Sequence, residues 1–199
     1  MSKIILVGKI FCKVWLKIMR KVFLFDVRFL FEISSVNFRP FYSKECKVVK
    51  ASKSNIKDVL QFQDERYVRI FLRFLDENDE GYLGYINNKC IHRQWIQQNK
   101  VVSFSPVYKY KLKSDELYCH YVETASEVRG QGISKIVLSH IALKHSNKKI
   151  LLVIQKNNVS SIKFCQGIGG KKIKKIFSIM ILGINFSFQK NISKNINYI

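Results

Sequence analysis

The sequence is short of the residues that break or staple a chain. Its 199 residues include two prolines and nine glycines, too few for a collagen-like repeat. With 47% hydrophobic and 13% aromatic residues it can bury a core, which excludes wholesale disorder. Its five cysteines, Cys12, Cys46, Cys90, Cys119 and Cys165, are odd in number, widely spaced and never in a C-x-x-C pair. Neither a disulfide framework nor a zinc site is therefore expected. Cys90 lies near His92 and Cys119 abuts His120, but no second ligand pair at metal spacing accompanies either, so no metal is expected. Also missing is an uncharged run of the about 18 residues that a spanning helix needs. The run Ile4 to Val7 is interrupted by Lys9, Lys13 and Lys17 before it reaches export-signal length, and no A-x-A-like cleavage site follows, so a cytoplasmic location is expected.

The C-terminal third lacks acid altogether. After Glu127 there is no Asp or Glu, against Arg129 and twelve lysines. Residues 1–40 hold eight basic and two acidic side chains, and residues 41–127 hold 14 and 12. The whole chain has 35 Lys and Arg against 14 Asp and Glu, a formal charge of +21 and a pI of about 9.9. A field of one sign attracts anions: nucleic acid, an acidic membrane surface or a phosphorylated small molecule. An AT-rich genome would contribute to the lysine count as well. Nucleic acid is disfavoured, because the aromatics do not interleave with the basic residues as in an RNP motif and no helix-turn-helix or finger pattern occurs.

Two regions are expected: a basic amphipathic N-terminal extension over residues 1–40 and an α/β domain over residues 41–199. At 100° per residue, Lys9, Lys13, Lys17, Arg20 and Lys21 fall on one helix face and Phe11, Trp15, Ile18, Met19 and Val22 on the other. Such a helix can lie in a membrane interface, giving peripheral contact through residues 1–24 at the inner membrane surface, or dock on the body or in a homodimer interface. Residues Val22 to Ile33 fit either a continuation of the helix or a first strand. From residue 46 the pattern is that of an α/β domain. CKVVKA (Cys46 to Ala51) reads as a strand, Ser54 as a helix cap before Ile56, Val59, Leu60 and Phe62, and Asp64 to Leu75 as a helix. Gly81 to Ile86, Val102 to Leu112 and Glu116 to Thr124 read as strands, with a turn at Asn87-Asn88-Lys89 and a break at Pro106.

The strand Glu116 to Thr124 runs into Glu127-Val128-Arg129-Gly130-Gln131-Gly132-Ile133-Ser134, which opens a helix carrying Ile136 or Val137, Ile141 and Leu143 on its inner side. A strand, a short glycine-containing loop and a helix N-terminus make a phosphate cradle: glycines admit close approach, successive N–H groups point at the anion and the helix dipole adds to them. KILLVI (Lys149 to Ile154) is a buried strand, and Asn158, Ser161, Phe164 and Gly169 follow at intervals of three, three and five. This assembly, over about residues 45–189, resembles the GNAT superfamily of acyl-CoA N-acyltransferases, whose signature is a strand, R-G-x-G at a helix start, a strand, and N-x-x-A/S with a glycine eleven residues after the Asn.

The resemblance implies a mixed, mostly antiparallel central sheet flanked by helices, and acetyl-CoA as cosubstrate. Amides around Val128, Arg129, Gly130, Gln131, Gly132, Ile133 and Ser134 would hold its pyrophosphate, Asn158 would contact the pantetheine arm or the splayed strand, and Ser161 and Phe164 would line the cofactor's far end. The implied reaction is direct attack of a primary amine on the thioester after a base removes the ammonium proton. Three side chains on the preceding strand are candidates for that base. Glu116 lies thirteen residues before Arg129, where histone acetyltransferases of the superfamily place their carboxylate. His120 shares its face, and Glu123, by strict alternation, points the other way. Cys165 stands where many members carry a tyrosine acid, and Gly170 replaces the usual Phe, which is expected to loosen the packing there. The basic start and the Lys-rich, Ile/Phe-rich final strand expected over Ile176 to Phe188 are similar to the small GNAT proteins of bacterial surface-polysaccharide clusters. That likeness implies an amino sugar or sugar nucleotide as small-molecule acceptor. Protein amines are an alternative acceptor, and a non-catalytic basic module binding an anionic membrane or nucleic acid is the alternative function. A cationic acceptor would need the acidic loop Asp76 to Glu80 as a local sink.

Overall fold

The computed structural model describes residues 23–35, 38 and 40–192; the amphipathic helix expected over residues 9–22 lies outside them. In chain order the elements are β1 (Phe23–Ser34), β2 (Lys47–Lys50), a 3₁₀ turn (Ile56–Gln61), α1 (Glu65–Asp76), β3 (Glu80–Ile86), β4 (Lys89–Gln97), β5 (Val101–Ser103), β6 (Lys109–Lys111), β7 (Glu116–Thr124), α2 (Ile133–Lys144), β8 (Lys149–Gln155), α3 (Val159–Gly167), β9 (Lys171–Ile181) and β10 (Ile184–Asn191). The described residues form an eight-stranded sheet in the order β10-β9-β1-β8-β7-β4-β3-β2, with β5 and β6 paired as a separate arm. Every ladder of the large sheet is antiparallel except β7 with β8. This is the mixed, mostly antiparallel α/β architecture expected from the sequence.

β1 pairs with β8 on one side and β9 on the other, so residues 23–34 run through the middle of the sheet. Its alternation explains why. Phe29, Phe31 and Ile33 pack with α2 and α3, while Leu30 joins Val102, Phe104, Tyr118 and Ile176 beneath the β5–β6 arm. β4 carries no alternating strand signal in the sequence, because residues 90–96 are all buried and a strand covered on both faces shows no alternation. The final strand is a hairpin, β9 and β10, turned at Leu182 (φ 49°) and Gly183 (φ 82°). The stretch Val102 to Leu112 is likewise two short strands with Pro106 in the turn between them.

Helices cover the sheet asymmetrically. α1 lies on one face, where Val68, Phe71 and Phe74 recur at helical spacing and meet Leu83 and Trp95, with Phe71 stacked on Trp95 at 5.2 Å. Asp64 caps it by accepting the Arg66 N–H. The expected cap at Ser54 opens no α-helix; Ile56–Gln61 forms the 3₁₀ turn instead. On the other face α2 buries Val137, Leu138, Ile141 and Ala142, while Leu143, expected to point inward, is exposed. α3 ends with Gly169 at φ 80° and the Gly170 N–H on the Cys165 carbonyl at 2.8 Å, an αL helix stop. A Cβ on Gly170 would lie 2.6 Å from that carbonyl, so glycine tightens this corner, contrary to the looser packing expected.

Candidate active site

The parallel β7–β8 ladder is short. It joins Glu116 to Cys119 with Lys149 to Leu152 and then stops. Beyond it β7 hydrogen-bonds only to β4 and β8 only to β1, so the two strands open a V whose inner edges carry unpaired backbone groups. Two clefts meet there. One, of about 740 Å³, lies toward α1 and β5 and includes Arg28, Arg73, Gln97, Tyr118, His120 and Tyr121 in its lining. The other, of about 720 Å³, lies toward α2 and includes Thr124, Arg129, Gly130, Gly132, Ser134 and Lys163. Asn158, Ser161 and Phe164 line both, which places three of the residues singled out in the sequence at the junction.

The second cleft is built to take an anion. Gly130 and Gly132 have φ 82° and 80°, and a Cβ added at either would meet no atom within 4 Å. The loop is therefore kept bare toward open space by residues free to adopt αL. The ladder of α2 begins with the Lys135 and Ile136 N–H groups on Gly132 O. The Ile133 and Ser134 N–H groups, in the first turn, have no intrahelical acceptor and point outward with the positive end of the dipole. A buried chain of polar groups fixes this helix start. Ser134 Oγ lies 3.0 Å from Thr124 Oγ1, which lies 2.7 Å from His92 Nδ1; His92 Nε2 is 3.4 Å from Gln94 Oε1, and Gln94 Nε2 donates to Cys119 Sγ at 2.9 Å. Burial pushes the His92 pKa down to about 4, so the imidazole is neutral and its Nδ1 accepts from the Thr124 hydroxyl. No spacing in the sequence points to this chain, since its members come from three separate elements and the one other Cys or His near His92 along β4 is Cys90.

The three candidate bases are dispersed. Glu116 sits at the closed end of the V, buried, accepting hydrogen bonds from the Tyr110 hydroxyl and the Lys113 N–H. Four residues separate it from His120, about 13 Å along a strand, so it is a structural carboxylate of the β6–β7 corner and does not line the clefts. His120 lies just past the last β7–β8 rung. Its ring stacks on Tyr118 at 5.4 Å and packs against Phe74, and its Nε2 is buried with no protein partner. Burial, with Lys100 and Arg93 nearby, pushes its pKa down to about 3, so it presents a neutral acceptor.

Glu123 lies on a different face from the one expected. β4 and β7 pair His92 with Thr124 and Arg93 with Glu123, but Trp95 with His120. One extra residue of β7 is thus accommodated where Tyr121 takes φ 48°, a bulge. Directly paired residues share a face. Arg93, whose guanidinium lies over Tyr67 and Phe71, and Trp95 are both on the α1 face, and so are Glu123 and His120. Glu123 is held by the Arg129 guanidinium at 2.7 Å, and Arg129 Nε also donates to Thr124 O. Arg129 is thereby tied to the end of β7 at the mouth of the cradle. Cys165 and Cys119 are buried, and desolvation pushes both thiols up to about 12.

The acidic loop offers no open sink for a cation. Asp79 is held by Lys100 and Gln97, Asp76 by Lys53, Glu77 by Arg73, and Glu80 by Lys144 and Lys50.

The model of the acetyltransferase (GNAT) family matches residues 35–169. No curated protein matches the chain. Among solved structures, a conserved protein of unknown function from Staphylococcus epidermidis superposes with a TM-score of 0.61 at 14% identity, covering 84% of this chain and 66% of that one. A GNAT-family acetyltransferase protein from Novosphingobium aromaticivorans gives 0.53 at 12%, covering 77% and 63%. AAC(6')-Iy in complex with the bisubstrate analogue CoA-S-monomethyl-acetylneamine gives 0.50 at 9%, covering 64% and 91%. The chain thus spans less than two thirds of the length of the first two structures. With the family signature running through the splayed strands and the glycine loop, the chain belongs to the acetyltransferase (GNAT) family.

Proposed function

We propose that the protein transfers an acetyl group from acetyl-CoA to the primary amine of an amino sugar or sugar nucleotide, of the kind used in surface-polysaccharide synthesis. The observation that carries the reading is the placement of a bare anion cradle and an unpartnered buried imidazole on two sides of one V. The N–H groups of the loop Val128 to Ser134, with Arg129 at its edge, would hold the pyrophosphate. The Asn158 Oδ1 already caps α3 on the Ser161 N–H at 3.1 Å, leaving its amide NH₂ for the pantetheine arm, beside Ser161 and Phe164. Acetyl-CoA supplies the activated thioester.

The acceptor would enter from the α1 side. There the neutral His120 ring would accept a hydrogen bond from the acceptor nitrogen and orient it toward the thioester, the amine having already given up its ammonium proton to solvent. Transfer would be direct: the free amine attacks the thioester carbonyl, the C–S bond breaks, and the proton lost from the nitrogen ends on the departing CoA thiolate, which leaves as the thiol. Cys119 and Cys165, with thiols held near 12, provide no thiolate to intercept the acetyl group. The stacked rings of Tyr118 and His120, with Gln97 and Ser103 nearby, suit a small hydroxylated acceptor. Arg28 and Arg73 also line this cleft, the second through an exposed ion pair with Glu77 that a phosphate of a sugar nucleotide could replace. The paired state of every carboxylate from Asp76 to Glu80 disfavours a polycation. Thiol release from acetyl-CoA, measured over a panel of amino sugars and their nucleotide derivatives, is expected with at least one of them. Absence of any CoA binding would overturn the reading.

A further inference from the structure

The outer corner of the sheet presents an apolar face that none of the described helices covers. Register places Phe23, Ile181 and Ile184 in one row across β1, β9 and β10, then Phe25, Ile179 and Phe186, then Val27, Phe177 and Phe188. Directly paired residues share a face, and β1 shows which one: Phe29 and Phe31 continue it under α3, where the cover ends. Phe23, Phe25, Ile181, Ile184, Phe186 and Phe188 are all exposed, and Leu182 at the hairpin tip is 74% exposed. A contiguous apolar surface of this kind marks an interaction site. On the opposite face of the same strands Asp26 pairs with Arg28, which lines the acceptor cleft, and Ser178 lies against Ser105, with Leu30 and Ile176 buried beneath the β5–β6 arm.

The border of the patch indicates what covers it. Toward α3 the next row is Phe29, Lys175 and Lys190, followed by Lys172 beside Phe31. Lys172 Nζ lies 4.0 Å above the Phe29 ring and Lys175 Nζ 4.6 Å above that of Phe177. The ammonium groups thus rest on aromatic rings at the border of the patch. Neither β9 nor β10 carries an acidic residue. A cationic rim with no compensating acid opposes docking of a second, equally basic copy. It complements an anionic lipid surface, where apolar groups enter the interface while lysines meet headgroups.

We propose that the outer face of β1, β9 and β10, with the Leu182–Gly183 tip, seats the protein on an anionic bilayer. No described helix is long and apolar enough to cross a membrane, so the contact is peripheral, and the acceptor cleft on the other face stays open to solvent. The test uses the full-length chain with phosphatidylcholine vesicles made with and without phosphatidylglycerol. Flotation is expected only with phosphatidylglycerol and should fall with salt. The triple variant Lys172→Gln/Lys175→Gln/Lys190→Gln should weaken it by more than about tenfold, since each lysine near such a surface is worth about fivefold. The pair Leu182→Ser/Phe186→Ser should abolish it. A Leu182→Trp chain, altered only at an exposed turn, should shift its emission to the blue on the phosphatidylglycerol vesicles. Unshifted emission from that chain, equal flotation on neutral vesicles, or a serine pair that breaks an oligomer in sedimentation while floating like wild type would each overturn the proposal.

Discussion

His120 shows how one position sets the pH behaviour of the site. Desolvation beside Tyr118 and Phe74 and the charges of Lys100 and Arg93 hold its pKa near 3, below its ordinary 6.5, so it stays neutral throughout the working range. Lowering the pH from 8 to 5 therefore does not protonate it; the acceptor amine protonates instead. The expected kcat/KM profile rises with pH up to the amine's own pKa and has no step near 6.5. His120→Ala should lower kcat by about 10- to 100-fold, the worth of one hydrogen bond to a reacting group. His120→Asn, which keeps an acceptor atom, should restore part of it. A wild-type step between pH 6 and 7 that vanishes in the alanine variant would show that the imidazole titrates and stores the proton.

At the scale of elements, the glycine loop is held by the strand that precedes it. The sequence shows the loop and the start of α2 clearly, because two glycines before an apolar helical pattern have a direct backbone meaning at φ near 80°. It does not show the bulge at Tyr121, which depends on how β4 and β7 pair across some 25 intervening residues. Alternation alone consequently misplaced Glu123. Nor does it show why Arg93 and Gln94 lie inside β4: one meets Tyr67, Phe71 and the Tyr121 carbonyl, the other Cys119 and His92. The Ser134–Thr124–His92 chain should therefore govern affinity for the cosubstrate more than the chemistry. Thr124→Val removes the shared hydroxyl while keeping strand shape. It is expected to raise KM for acetyl-CoA several-fold, about one buried hydrogen bond, with kcat changed by less than twofold. An equal loss in kcat with KM unchanged would place Thr124 in the transfer step.

For the molecule as a whole, the fold class was legible because strand, cradle, strand and Asn-capped helix follow in order along a single stretch of sequence. The role of residues 23–34 was not, since a strand whose odd residues are apolar both under α3 and on an open face reads equally as helix or strand. The charge of +21 divides accordingly. Lys172, Lys175 and Lys190 border the apolar face, whereas Arg129, Lys135 and Lys163 line the cradle cleft. The second group acts on a polyanion over the distance that salt permits, about 30 Å at 0.01 M and about 10 Å at 0.1 M. KM for acetyl-CoA should therefore climb across that interval. It should climb less for acetyl-dephospho-CoA, which carries one phosphate fewer, while kcat stays level in both cases. Equal slopes for the two thioesters would mean that these cations sense only the pyrophosphate held at the α2 N-terminus, and a flat KM for both would confine the binding energy to the backbone N–H groups of the loop.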